Sequence, residues 1–356
     1  MSGTHALSPV AAAFESELLA ARVLVIQPGL HLEAPTARKN AFDQEVEVRP
    51  YTDATSALRD LPARGAAFLS VGALVDARAA FRDLVDQRRA VVVHAVLGGT
   101  ARDVLDAHAA LDLGGPALFS RDGQDGADLA VVAHRLAEDA EVPVLVVHEA
   151  DEPASKVVPA DAALVRGVLE PAPPPLGPSE GRRHRVAGER APFALASALR
   201  AFERFAGRKQ DVVRGVRLEG ASIVLVAAGG VALAARAAIE ELAHKTGELP
   251  VGLLEVVSLR PFPGREIVKA LSRARAIAVV ERADTPLAQS SSLALAVKAA
   301  FADALTWTPG YPGIGRVPAL FSACIDPNPE PRDLLRVVER IHEGDLAPRS
   351  FVVERP

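Results

Sequence analysis

The sequence predicts an α/β protein of two doubly wound domains with largely parallel sheets. Three observations carry this. Short, continuous apolar runs rich in branched residues alternate with helix-spaced segments, as a sheet covered on both faces requires. The alternation occurs twice, separated by a Pro/Gly-rich stretch. The apolar content of 49% with only 4% aromatics means Ala, Val and Leu, suited to close-packed helices on buried strands.

In the first 150 residues, Arg22–Gln27, Ala66–Ser70, Ala90–Val96 and Val142–His148 read as strands. Thr52–Leu61, Leu74–Gln87, Thr100–Leu111 and Gly126–Asp139 show helical spacing between them, with Thr52–Asp53 and Asp125 as helix starts. Residues 151–190 read as a linker, because Glu170–Gly188 carries five prolines and three glycines. Its basic cluster Arg182, Arg183, His184 and Arg185 reads as a solvated part of that linker. A helix is expected over Pro192–Ala206.

The second domain, 191–356, continues with strands Ser222–Ala227, Val251–Val257 and Ala276–Val280. Helices are expected at Val231–Lys245, Gly264–Leu271, Ser291–Leu305 and Glu330–Ile341. This alternation implies parallel strands joined by right-handed crossovers.

The net charge of −5 gives no reason to expect nucleic acid or an anionic membrane as partner. Cys324 is the single cysteine, so this chain holds no internal disulfide, no Cys-based zinc site and no iron–sulfur cluster. No metal site is expected on it. Met1–Ala13 lacks a basic region followed by a long apolar run, and no stretch approaches a membrane span. The expected location is the cytoplasm.

Several segments resemble, in order, those of the 2-oxoacid (pyruvate):ferredoxin oxidoreductases. Val251–Arg265 (VGLLEVVSLRPFPGR) is similar to that family's strand and "R-P-F" turn. Ala276–Pro286 (AIAVVERADTP) and Leu293–Phe301 resemble the strand, loop and helix that follow. Phe202–Gln210 (FERFAGRKQ) resembles the "L-T-G-R-Q" segment, and Ser222–Val231 sits where the family has "V-I-V-x-M-G-S-G". Asp128–Pro143 resembles "DLALVAH…VP", and Arg349–Glu354 resembles the closing "HFTVGI" strand.

The resemblance implies an alpha-type subunit. Residues 1–150 would be a thiamine-enzyme pyrimidine-type domain, and 191–356 a transketolase-C-like core domain II. It implies thiamine diphosphate shared with a beta-type subunit that holds the diphosphate, magnesium and an iron–sulfur cluster. A gamma-type subunit and ferredoxin would complete a hetero-oligomer that oxidises pyruvate or a related 2-oxoacid with coenzyme A.

Carried over by position, the family's Thr turn falls at Leu24–Pro28, where Gln27 replaces Thr and Pro28 follows. The family's Glu falls at Tyr51, or at Asp53 with a shift of two. The "H-V-A-A-R" segment falls near Val92–Leu97, with His94 but no Arg. Tyr51 and Asp53 are thus the candidate catalytic positions, and Gln27, Pro28 and His94 the candidate cofactor contacts. Asp53 also suits a helix N-cap, and His94 a satisfied core histidine. The resemblance therefore leaves open a non-catalytic structural or regulatory pseudo-subunit.

The family's "G-D-G" diphosphate motif with a later Asn does not occur, which argues against an independent thiamine lyase. Asp122–Gly126 (DGQDG) reads as a turn and helix start. Leu97–Thr100 (LGGT) and Ala228–Val231 (AGGV) could bind anions but read more simply as strand–helix turns. Ser290, Ser291 and Ser292 read as a helix cap.

Overall fold

The computed structural model describes residues 5–32, 38–169, 183–243, 250–283, 290–344 and 350–354. It divides into two compact units. The first comprises residues 1–98, 106–211 and 259–261, and the second 99–105, 212–258 and 262–356.

Along the chain the first stretch runs β1 (His5–Leu7), α1 (Pro9–Ala20), β2 (Val23–Ile26), β3 (Glu47–Pro50), α2 (Ala54–Arg59), β4 (Ala66–Ser70), α3 (Val71–Asp76) and α4 (Arg78–Asp86). It continues with β5 (Val92–Leu97), α5 (Ala101–Ala110), β6 (Ala117–Phe119), α6 (Gly123–Ala140), β7 (Val144–Glu149), β8 (Ser155–Val157), α7 (Ala162–Leu169) and α8 (Arg183–Ala206). Then come β9 (Val213–Val216), β10 (Ile223–Ala227), α9 (Gly229–Ala243), β11 (Val251–Val256), β12 (Ser258–Arg260) and α10 (Gly264–Leu271). The chain closes with β13 (Ala276–Glu281), α11 (Ser292–Leu305), β14 (Ala319–Cys324), α12 (Pro331–Glu343) and β15 (Ser350–Val352).

Among the described residues, the first unit's sheet has the order β12-β6-β7-β5-β4-β2-β3. The pairs from β3 through to β6 are parallel. Every residue of β5 and β7 is buried, which is why both read as apolar runs, broken only by His94 in the first and by His148 and Glu149 in the second. The chain leaves β2 for β3 on one side and returns to β4 on the other, so the order reverses at β2.

Helix α1 is a buried helix that composition conceals. Ser8 caps it by accepting the Ala11 amide at 3.3 Å, and Pro9 sits at its first turn, where its missing N–H is not needed. It packs against α6, which is apolar on most of its circumference. Gly126 makes this approach possible, because a Cβ there would overlap the carbonyl of Pro9.

The second unit's sheet runs β15-β14-β13-β10-β11-β9, with only β9 antiparallel. Helices α9 and α12 cover one face, where Ile223, Leu225, Leu253, Ala278, Val280, Leu334, Val337 and Ile341 share a core. Glu255 on β11 is buried there and accepts two bonds from the Arg236 guanidinium of α9, at 2.7 and 3.0 Å.

The structure corrects several expectations. The stretch 151–190 is not all linker: β8 pairs with β1, α7 buries Val165, Val168 and Leu169, and α8 begins at Arg183. The prolines and most of the glycines fall in 170–182, outside the described residues, whereas 183–191 holds Ala, Arg and Glu that favour a helix. Arg182 lies outside the described residues, and the backbone of Arg183, His184 and Arg185 opens α8. The first unit accordingly extends to Asp211, well past residue 150. Leu74–Gln87 is two helices, α3 and α4, because Ala77 bends the chain. The strands β1, β3, β6, β8, β9 and β14 were not anticipated. The loop containing Thr285 and Pro286, and Arg349 of the closing segment, lie outside the described residues.

Candidate functional site

In open parallel sheets, ligands collect at the carboxyl ends of strands where the strand order reverses. In the first unit this is the end of β2, where Gln27 stands. Its backbone N–H is held by the Phe68 carbonyl at 2.9 Å. Its side-chain Oε1 accepts the Ser70 backbone N–H at 2.6 Å and the Tyr51 hydroxyl at 3.1 Å. One amide oxygen therefore ties together the ends of β2, β3 and β4. Pro28 follows in an exposed turn, whose Gly29 has a φ of 95° that only glycine adopts freely.

Tyr51 is half-buried. Burial and then the negative charge of Asp53 push its phenol above the usual tyrosine range. Asp53 itself is exposed and caps α2, accepting from the Ser56 amide at 2.8 Å and the Ser56 hydroxyl at 2.7 Å. These bonds hold its carboxyl below the ordinary aspartate range. The structure therefore brings Gln27 and Tyr51 together, while Asp53 faces its own helix.

His94 is not at a strand end. It sits inside β5 and is fully buried. Its Nε2 lies 2.8 Å from Glu17 Oε1, and its Nδ1 lies 2.8 Å from His148 Nε2. His134 Nε2 approaches Glu17 Oε2 at 2.6 Å, and Ser120 Oγ lies 2.7 Å from His148 Nδ1. Burial opposes charge on Glu17, but the charge and hydrogen bond of His134, with the bond and charge of His94, outweigh it and lower its pKa to about 2. His148 is held well below the usual histidine range by burial and by the charge of His94. The order hydroxyl–imidazole–imidazole–carboxylate is that of a nucleophile relay. Ser120 is 1% exposed, however, so no substrate reaches it.

Sequence reasoning singled out His94 alone in this cluster. The signal for the rest is an ionisable residue interrupting an apolar run: His148 within Val144–Glu149, and Glu17 within Pro9–Ala20.

A second buried polar node joins two of the family-like motifs. Asp128, from the DLA segment on α6, is 1% exposed. It accepts a fork from the Arg208 guanidinium, with Nε at 2.9 Å, and a bond from Gln210 Nε2 at 2.9 Å. Gln124 adds another at 2.8 Å. Arg208 and Gln210 belong to the GRKQ segment, so this node binds that segment to the DLA segment.

The other candidates take their plainer readings. Asp122 caps α6 through the Asp125 amide at 2.9 Å. Leu97–Thr100 and Ala228–Val231 are strand–helix turns, the latter with Gly229 at a φ of 58°. Ser291 precedes α11, but the cap bond comes from Glu281 on β13, whose carboxylate accepts the Leu293 amide at 3.0 Å. Among the described residues, no cluster of three or more His, Cys, Asp or Glu could hold a metal ion, and no helix is long and apolar enough to cross a membrane.

These residues fit a thiamine pyrimidine site poorly. At the two positions carried over for the Glu that would bond the aminopyrimidine, Tyr51 offers a phenol already bonded to Gln27, and Asp53 is engaged as a cap.

Comparison with known proteins agrees with this architecture. Residues 221–314 match pyruvate:ferredoxin oxidoreductase core domain II. The chain is 40% identical over 94 residues to pyruvate synthase subunit PorA of Methanothermobacter thermautotrophicus, covering 26% of this chain and 24% of that protein. It is 29% identical over 219 residues to PorA of Thermotoga maritima, covering 54% and 55%. The matched stretches thus span about half, or less, of these relatives' length. In structure, 2-oxoglutarate:ferredoxin oxidoreductase from Magnetococcus marinus superposes with a TM-score of 0.63 at 14% identity, over 96% of this chain and 65% of that one. Transketolase from Leishmania mexicana gives 0.51 at 13% identity, over 82% and 41%. The structural likenesses establish the doubly wound fold. In sequence, residues 221–314 are similar to a pyruvate:ferredoxin oxidoreductase core domain II, and the chain is similar over part of its length to PorA subunits of pyruvate synthase.

Proposed function

We propose that the chain is an alpha-like subunit of a 2-oxoacid:ferredoxin oxidoreductase complex, which decarboxylates pyruvate or a related 2-oxoacid with coenzyme A and ferredoxin. The match of residues 221–314 to core domain II, together with the PorA relatives, carries this reading. Thiamine diphosphate would be shared with a beta-type partner that supplies the diphosphate and magnesium ligands and the iron–sulfur cluster. A gamma-type subunit could join them in a cytoplasmic hetero-oligomer. When bound, thiamine diphosphate supplies a carbanion-stabilising centre. No step is assigned to this chain's Tyr51, Asp53, Gln27, Pro28 or His94.

A second reading rests on a specific observation. Gln27 Oε1 braces Ser70 and Tyr51 at the positions carried over for the family's Thr and Glu, and the carboxylate of Asp53 is exposed and capping. This favours a structural or regulatory pseudo-subunit that keeps the fold and not the chemistry.

Purification from the native source separates the two. Co-purifying thiamine diphosphate, iron and 2-oxoacid-dependent ferredoxin reduction would support the subunit reading. Loss of that activity in Tyr51→Phe or Asp53→Asn complexes would sink the pseudo-subunit. A co-purifying partner without thiamine would sink the catalytic reading.

A further inference from the structure

The buried cluster of the first unit contains a proton arrangement that its geometry determines. Ser120 Oγ lies 3.2 Å from the Val147 carbonyl oxygen. A carbonyl only accepts, so the hydroxyl hydrogen points there. The same Oγ, 2.7 Å from His148 Nδ1, then accepts from that nitrogen. His148 is fully buried and held neutral by its surroundings, so it carries one ring hydrogen, on Nδ1. Its Nε2 is bare and accepts from His94 Nδ1 at 2.8 Å. His94 Nε2 faces a carboxylate oxygen of Glu17 at 2.8 Å, which also accepts. His94 therefore carries both ring hydrogens.

We infer that Glu17 and His94 form a carboxylate–imidazolium pair inside the first unit, its proton order fixed through His148 and Ser120 onto the Val147 carbonyl. The pair serves as a proton-ordered strut that ties α1 to the middle of the sheet. His134 donates its Nε2 hydrogen to the other Glu17 oxygen at 2.6 Å and so fastens α6 to the same carboxylate.

Two independent features support the cation. Phe68 lies flat on His94, with ring centres 4.3 Å apart and planes 7° from parallel, and the face of an aromatic ring attracts a cation. The reversed order would run Ser120 to His148 to His94. It would remove the His94 charge from the carboxylate and set lone pairs of Ser120 and Val147 against each other, an arrangement that low-dielectric surroundings penalise. The strut is selective as well as adhesive. A one-residue slip of β5 would move His94 to the other face of the sheet and break every link.

The test is histidine side-chain nitrogen NMR on the full chain, labelled with 15N-histidine, at neutral pH. One ring should show both nitrogens protonated and share a cross-hydrogen-bond coupling with a second ring that carries its hydrogen on Nδ1. Ser120→Ala removes a single oxygen and should move the His148 hydrogen to Nε2, turning His94 neutral. Glu17→Gln should also abolish the doubly protonated signal. A neutral His94 in the native chain, His148 protonated on Nε2, or a Ser120→Ala pattern identical to the native one would each overturn the inference. If Glu17→Gln does not fold, the native and Ser120→Ala spectra decide.

Discussion

Arg208 grips Asp128 with both ends of its guanidinium fork, and Asp128 is sealed from solvent while the arginine stays partly exposed. The pair links the segment that closes the first unit to the helix at that unit's centre. Removing the arginine leaves a buried carboxylate with only its amide partners. Arg208→Ala should therefore destabilise the first unit by about 3–5 kcal/mol, read from urea unfolding. Arg208→Lys should recover only part of that loss, because an ammonium cannot reproduce the fork. Equal stability of the lysine variant and the native chain would contradict the bidentate geometry.

Tyr51 should ionise later than an ordinary tyrosine. Its folded pKa is raised above the usual 10.0, so its contribution to stability is complete below pH 10.0 and fades as pH rises through the folded value. Ultraviolet titration should show both tyrosines ionising late, because burial and Asp303 raise Tyr311 as well, and Tyr51→Phe should remove one of the two delayed phenolate signals. The phenylalanine variant should lose about 1 kcal/mol or less at neutral pH, since Gln27 keeps its bond to Ser70. An undelayed signal would contradict the assignment.

Acid should weaken the first unit in two stages. His148 has a folded pKa depressed below 6.5, so the unfolded chain binds the extra proton and stability falls as pH drops below 6.5. Glu17 titrates near 4.5 when unfolded and at about 2 when folded, so its contribution is present above pH 4.5 and lost as pH falls towards 2. Urea midpoints measured against pH should show both declines. Glu17→Gln should be less stable at neutral pH and lose the lower one.

Gly126 should resist enlargement. Alanine there must push the Pro9 carbonyl aside, which forces α1 away from α6. We expect a loss of about 1–3 kcal/mol from Gly126→Ala, with little change at Gly188, where a Cβ meets nothing within 4 Å. Helix propensity favours alanine at both positions, so a loss at Gly188 as large as that at Gly126 would show that the close approach does not set the effect.

Much of the fold was legible because its strands are buried on both faces. Val92–Leu97 and Ile223–Ala227 announce themselves by continuous branched residues. Glu47–Pro50 did not, because an edge strand needs neither apolarity nor a full set of N–H groups. Ala117–Phe119 is too short to signal. Helix α1 was hidden by its alanines, which carry no periodic contrast. The core domain II resemblance proved sound because its motifs are turns and strand ends whose spacing survives divergence. The candidate site was harder to read. Asp53 has one local role, visible in its spacing to Ser56, whereas Gln27 acts through residues 24 and 43 positions away. Glu17 and His134 are farther apart still, at 117 positions, and no local pattern encodes such a pairing.

The placement of β12 bears on how the chain is made. This strand lies beyond β10 and β11 in sequence, yet it borders β6 in the first unit's sheet. A ribosome must therefore release residue 260 before that sheet has its last strand. Until then β6 presents a bare rim of amides and carbonyls, the kind of edge that recruits other strands. The nascent first unit therefore carries this uncovered edge while residues 212–258 of the second unit are translated.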